Sequence, residues 1–166
     1  MKRRRLLVWA VLTLLFAVMT APQTATARSD RTKFTGNEGC DIQDPGDWQW
    51  LPNGGVHVRG QVGACVEETT DPRASGNSTV VANSNWAPDF TGPIWGTVVI
   101  QVPDSPDCEG GGVWKGTWNG MMTSEGCDWH GEAHGVSGCV EGLKASYHAD
   151  CLAGSYTGTI LDPNGE

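Results

Sequence analysis

The stretch Gly112-Val113-Trp114-Lys115-Gly116-Thr117-Trp118-Asn119-Gly120 decides the fold. Its glycines and tryptophans fall two residues apart, so in an extended strand they share one face, and Val113, Lys115, Thr117 and Asn119 take the other. Large and small residues alternate on one face and polar residues dominate the opposite one. That is the pattern of a sheet that curls around an enclosed interior. A helix would scatter both sets around its circumference.

The same period-two logic extends outward from this stretch. Downstream it predicts strands over 127–135, 140–148 and 155–161, and upstream over 94–102, 79–83 and 56–67, with a short eighth strand if 48–51 pairs. In 56–67, Val56, Val58, Val62, Ala64 and Val66 form the apolar face. His57, Arg59, Gln61, Cys65 and Glu67 form the other, and Gly60 and Gly63 permit a bend. Glycine punctuates every segment too often for a helix. Short connections favour sequential antiparallel neighbours. The expected fold is therefore all-β, a single antiparallel barrel of seven to eight strands, with a β-sandwich as the alternative. Val56, Val58, Val62, Val66, Trp114, Trp118 and Trp129 are its expected buried residues.

The ends of the chain read differently. Lys2, Arg3, Arg4 and Arg5 precede an apolar run from Leu6 to Met19, and Ala25-Thr26-Ala27 is a small-x-small cleavage site. Residues 1–27 thus read as a signal peptide removed on export. Residues 28–39 are polar and aperiodic and read as a flexible lead-in, which leaves 40–166 as the barrel domain. The chain carries a net charge of −8, and the mature protein is more acidic still, because the basic cluster at 2–5 leaves with the signal peptide. Such a surface argues against nucleic acid and anionic membrane as partners and leaves neutral ligands, cations and basic proteins. Secretion is the expected localisation, extracellular or periplasmic. No cofactor is expected, and the oligomeric state is open.

Six cysteines, at 40, 65, 108, 127, 139 and 151, contain no C-x-x-C pair and read as three disulfides. Their pairing follows from a register argument. Asp128, His130, Glu132 and His134 alternate along one strand, and Lys144, Ser146, His148 and Asp150 along the next. Matching these polar faces sets His130 opposite His148, Asp128 opposite Asp150, and Cys127 opposite Cys151. Opposed residues of an antiparallel pair lie roughly 4.5–5.5 Å apart, within disulfide reach. Cys139 sits at the far end of that hairpin, near the start of the strand that follows Cys108, so Cys108–Cys139 is expected. Cys40–Cys65 remains by elimination.

Several short motifs resemble known barrels. The run Gly112 to Gly120 is similar to the G-T-W-x-N segments of avidin-type proteins, and Gly46-Asp47-Trp48 matches the G-x-W with which lipocalins begin. Residues 56–163 resemble the allene oxide cyclase and dirigent barrels in style. Gly158 to Pro163 resembles the terminal strand of secreted bacterial β proteins of uncharacterised function. These resemblances imply an eight-stranded barrel, sometimes with an apolar cavity, and they carry over no catalytic residue.

Tryptophan dominates the candidate chemistry, since its broad face stacks on sugar rings and lines apolar pockets. Trp114, Trp118 and Trp129 fit the interior. Trp86 and Phe90 share a loop. The candidate ligand contacts are Trp86, Phe90, Trp114 and Trp118. Asp128, His130, His148 and Asp150 form a weaker candidate metal site, because an outward face of the same composition needs only water as its partner. Asp104, Asp107 and Glu109 lie in a loop whose central Cys108 favours a stapled turn over a calcium site. There is no G-x-S-x-G elbow and no nucleophile stands out.

The leading expectation is a secreted, non-catalytic barrel that binds a small apolar ligand or a glycan through Trp-rich surfaces. One alternative is a barrel-type isomerase or cyclase, which would require a titratable side chain inside the barrel. Another is a protein-interaction or inhibitor module.

Overall fold

A computed structural model describes residues 30–150 and 154–165. It is an antiparallel sheet of nine strands: β1 (Asp30–Asp44), β2 (Asp47–Trp50), β3 (Val56–Thr69), β4 (Gly76–Trp86), β5 (Gly92–Val102), β6 (Gly112–Thr123), β7 (Gly126–Gly138), β8 (Lys144–Asp150) and β9 (Ser155–Asp162). The sole helical element among the described residues is one 3-10 turn, Pro72–Ala74. The first part of β1 pairs with β9, from Asp30↔Asp162 to Asn37↔Ser155. Its second part pairs with β3, from Gly36↔Thr69 to Asp44↔Val62. Eight strands thereby close into a ring, and β2 continues β1 along the edge of β3 after a break at Pro45-Gly46. Closure leaves no long unpaired edge.

Strand β1 corrects the reading of 28–39 as a flexible lead-in: from Asp30 onward these residues form the staves that close the barrel. The periodicity was hidden because the inward positions of β1 are Phe34, Gly36, Glu38, Cys40 and Ile42, of which only Phe34 is both large and buried. A second difference lies at the start of β8. Val140 and Leu143 belong to the turn before Lys144, not to the strand. Both are buried beneath the barrel end.

A third difference matters more. The pairing of β3 with β4 shifts between Val58 and Gln61, at a bulge where Gly60 takes φ 67°. One extra residue inverts the alternation beyond it. Val56 and Val58 are buried as expected, but Val66 is 51 % exposed and Val62 faces outward with it. Gln61, Gly63, Cys65 and Glu67 turn inward instead. Arg59 holds the bulge from outside: its guanidinium donates to the carbonyls of Val58 (2.8 Å) and Ser84 (2.7 Å) and to Asn85 Oδ1 (2.6 Å).

One end of the barrel is sealed. Trp114, Val140, Cys108 and Ile160 are essentially fully buried there. Trp114 Nε1–H donates to the carbonyl of Arg73 at 2.7 Å, which ties the 3-10 turn across the opening. Asp71 caps that turn and accepts from Arg73 Nε and Nη2 at 3.0 and 2.7 Å. Burial pushes the Asp71 carboxyl up, and the Arg73 hydrogen bonds outweigh it and hold the carboxyl below its usual range. The Cys108–Cys139 disulfide staples the loops of the same end, and Cys40–Cys65 bridges β1 to β3. Cys151, the expected partner of Cys127, lies outside the described residues, as does the expected signal peptide.

Candidate functional site

The barrel interior is built from paired glycines and aromatic rings. Phe34 stands opposite Gly158 and Tyr156 opposite Gly36. Tyr147 stands opposite Gly131, Trp118 opposite Gly96, and Trp129 opposite Gly120. At each of these glycines an added methyl group would collide with the facing aromatic side chain. A glycine leaves a flat place in the wall, the ring lies down on it, and the bulk of the aromatic is kept out of the middle. The rings form a belt across five strands: Trp118–Trp129 (5.9 Å between centroids), Trp129–Tyr147 (5.4 Å), Tyr147–Tyr156 (6.4 Å) and Tyr156–Phe34 (6.2 Å).

Because the rings line the wall, a cavity of about 240 Å³ lies inside the barrel. Val80, Ala82, Ile94, Val98 and Ile100 form much of its far side. Ile42, 66 % exposed, and the exposed Cys40 mark its rim.

The polar groups of this cavity are concentrated where β1 meets β3. Glu38 and Glu67 are direct cross-strand partners, and both line the cavity. Glu67 is 5 % exposed. Its Oε1 accepts from Ser78 Oγ–H at 2.7 Å and its Oε2 from Tyr156 O–H at 2.9 Å. The carboxyl of Glu38 is pushed up to about 7, first by burial, then by the charge of Glu67 and by a hydrogen bond to it. Two carboxyl groups in such contact do not both ionise readily, so the pair holds one proton between them below about pH 7 and gives it up above. Burial foremost, then the nearby charge of Glu67 and Glu38, pushes the Tyr147 hydroxyl up. Among the described residues, the Tyr147 hydroxyl and Trp118 Nε1 are buried without a hydrogen-bond partner. The rings of both residues line the cavity, while these two atoms are themselves covered. Leaving a buried polar atom unpaired costs about 1–3 kcal/mol.

The sequence-derived candidates divide among three places. Trp114 and Trp118 line the cavity, Trp114 at its sealed end and Trp118 in the aromatic belt. Trp86 and Phe90 lie elsewhere, in a surface cluster with Trp48 and Trp50. Its ring centroids are 5.7 Å apart for Trp48–Trp86 and 5.8 Å for Trp86–Phe90. Phe90 adopts a left-handed backbone, φ 61°. The four candidate metal ligands stand on the outer face of β7 and β8, with His130 opposite His148 and Asp128 opposite Asp150. His148 Nε2 lies 2.8 Å from Asp128 Oδ1, an exposed contact. Among the described residues, the one group of potential ligand atoms that converges is Glu38 with Cys40 and Cys65, and those two sulfurs are bonded to each other.

Sequence reasoning missed Glu38, Glu67, Tyr147 and Tyr156. The signal for Glu67 was Gly60, whose placement inside a strand allows a bulge that reverses the faces. No family model, curated protein or solved structure matches this chain.

Proposed function

We propose that this chain is an exported binding protein that takes a small, largely apolar molecule into the barrel interior. The observation that carries this reading is the 240 Å³ cavity, walled by flattened aromatic rings and furnished with a compact set of polar groups. An apolar pocket with a few convergent polar groups is the usual form of a small-molecule site, and this one is just under the roughly 300–1,000 Å³ of pockets for drug-sized ligands. The ligand is accordingly small. Export is supported by the two disulfides and by the signal-like segment at 1–27. The glycan alternative would rest on the surface cluster of Trp48, Trp50, Trp86 and Phe90.

A second reading is favoured by one observation, the Glu38 carboxyl with its proton affinity near neutrality inside an apolar cavity. A group of that kind suits general acid–base chemistry, as in an isomerase. Binding is the simpler requirement and comes first. The test is titration of the disulfide-intact protein with small aromatic compounds, read by intrinsic tryptophan fluorescence, to which the cavity-lining Trp118 and Trp129 contribute. Saturable one-to-one binding that disappears in Ala145→Phe, which fills the cavity from β8, supports the reading. Binding that survives Ala145→Phe overturns it.

A further inference from the structure

We infer that the ligand of this cavity is a small organic ammonium ion with an apolar or aromatic body, held by the Glu38–Glu67 pair and by the aromatic belt. The inference rests on the binding reading and adds the ligand's charge. Two acidic side chains directly opposite each other in a sheet repel, and burying them without a cation is costly. Even so, the chain turns both into the same cavity, and none of the described residues that line it is Lys, Arg or His. The cation that would complete the arrangement is therefore not supplied by the lining. Beside the pair, Tyr156 and Tyr147 continue into Trp129 and Trp118, each ring within 6.4 Å of the next. Aromatic faces attract cations, the more so when water is excluded.

Binding such a cation displaces the proton that the pair holds. The titratable groups facing Glu38 are Glu67 on β3, Tyr147 on β8 and Tyr156 on β9, while the sulfurs of Cys40 and Cys65 are bonded and do not titrate. The lining residues contributed by β4, β5, β6 and β7 are all uncharged. Both tyrosines are held neutral by burial and by the carboxylates, so Glu38 is the group that loses the proton. Affinity for an ammonium ligand should then rise with pH through the neutral range.

The experiment is calorimetric titration of the disulfide-intact protein with 2-phenylethylamine and benzyltrimethylammonium, set against the neutral 2-phenylethanol, at pH 5.5 and pH 8. The expected result is ammonium binding about tenfold or more tighter than the alcohol at pH 8, a preference that shrinks several-fold at pH 5.5. Release of up to about half a proton per ligand at pH 7 should appear as a buffer-dependent heat. Glu38→Gln should abolish the preference and the proton release. The proton release is measured on the unsubstituted protein and so does not depend on how well the variant folds. If the alcohol binds as tightly as the amines at both pH values, the ammonium inference is overturned and the binding reading stands. If neither class binds, both fall.

Discussion

Glu38 on β1 and Glu67 on β3 face each other across the sheet and both turn into the barrel interior. Glu67 has its oxygens satisfied by Ser78 and Tyr156, so the cost of the pairing falls on Glu38, whose carboxyl is pushed up to about 7. A carboxyl whose folded-state value lies above its ordinary 4.5 binds its proton more tightly in the folded chain than in the unfolded one. Its contribution to stability is complete below about 4.5 and is lost as pH rises to about 7.

The first prediction follows from that sign. Stability of the unsubstituted protein should fall by about 2 kcal/mol between pH 4.5 and 7 on account of this group, a figure that allows for its partial exposure. Glu38→Gln should flatten this part of the profile and be more stable than the parent at pH 8. Urea denaturation at a series of pH values measures it, and an unchanged slope in the variant would refute the assignment.

Tyr147→Phe removes a buried hydroxyl that has no partner. Deleting a satisfied buried hydroxyl costs about 1 kcal/mol, whereas deleting an unsatisfied one relieves a desolvation penalty. The midpoint of denaturation should therefore stay put or rise. Tyr156→Phe is the control, since that hydroxyl donates to Glu67 at 2.9 Å, and it should lower stability by about 1.5–3 kcal/mol, the range for hydrogen bonds to charged groups.

Gly131→Ala and Gly158→Ala should both destabilise. Each methyl would meet the facing ring, of Tyr147 and Phe34 respectively, and drive it off the wall into the cavity. Overpacking of this kind costs about 1–3 kcal/mol. If the rings are what keep the interior open, both variants should also lose ligand uptake, as seen by titration. Gly39→Ala, with open space at its Cβ position, serves as the tolerated comparison.

Trp114→Phe should cost about 2–4 kcal/mol, because it leaves a void at the sealed end and strands the Arg73 carbonyl that the indole N–H satisfies. Removing the Cys108–Cys139 bridge by a double Cys→Ala change loosens the same end and should cost about 2–4 kcal/mol. Thermal denaturation with and without reductant compares the two.

Period-two patterning shows the strands from β3 to β9 and much of their pairing. Alternation in 112–120 marks β6 as a barrel stave, with Trp114, Gly116, Trp118 and Gly120 inward and Lys115, Thr117 and Asn119 exposed. Matching two polar faces set β7 against β8, and the structure pairs His130 with His148 and Asp128 with Asp150. These features are local or join neighbouring strands, and a period of two is enough to show them. The site, by contrast, is made by contacts between distant segments. Strand β1 exists because β9 and β3 offer it hydrogen-bonding edges from distant parts of the chain, and its inward residues are too small or too polar to announce a strand. The bulge at Gly60 then reversed the faces of β3 and turned Glu67 inward, against a sequence pattern in which Val62, Ala64 and Val66 form the apolar set. Glu38 and Glu67 meet only because closure of the ring and that one-residue offset act together, and no periodicity within either segment records both.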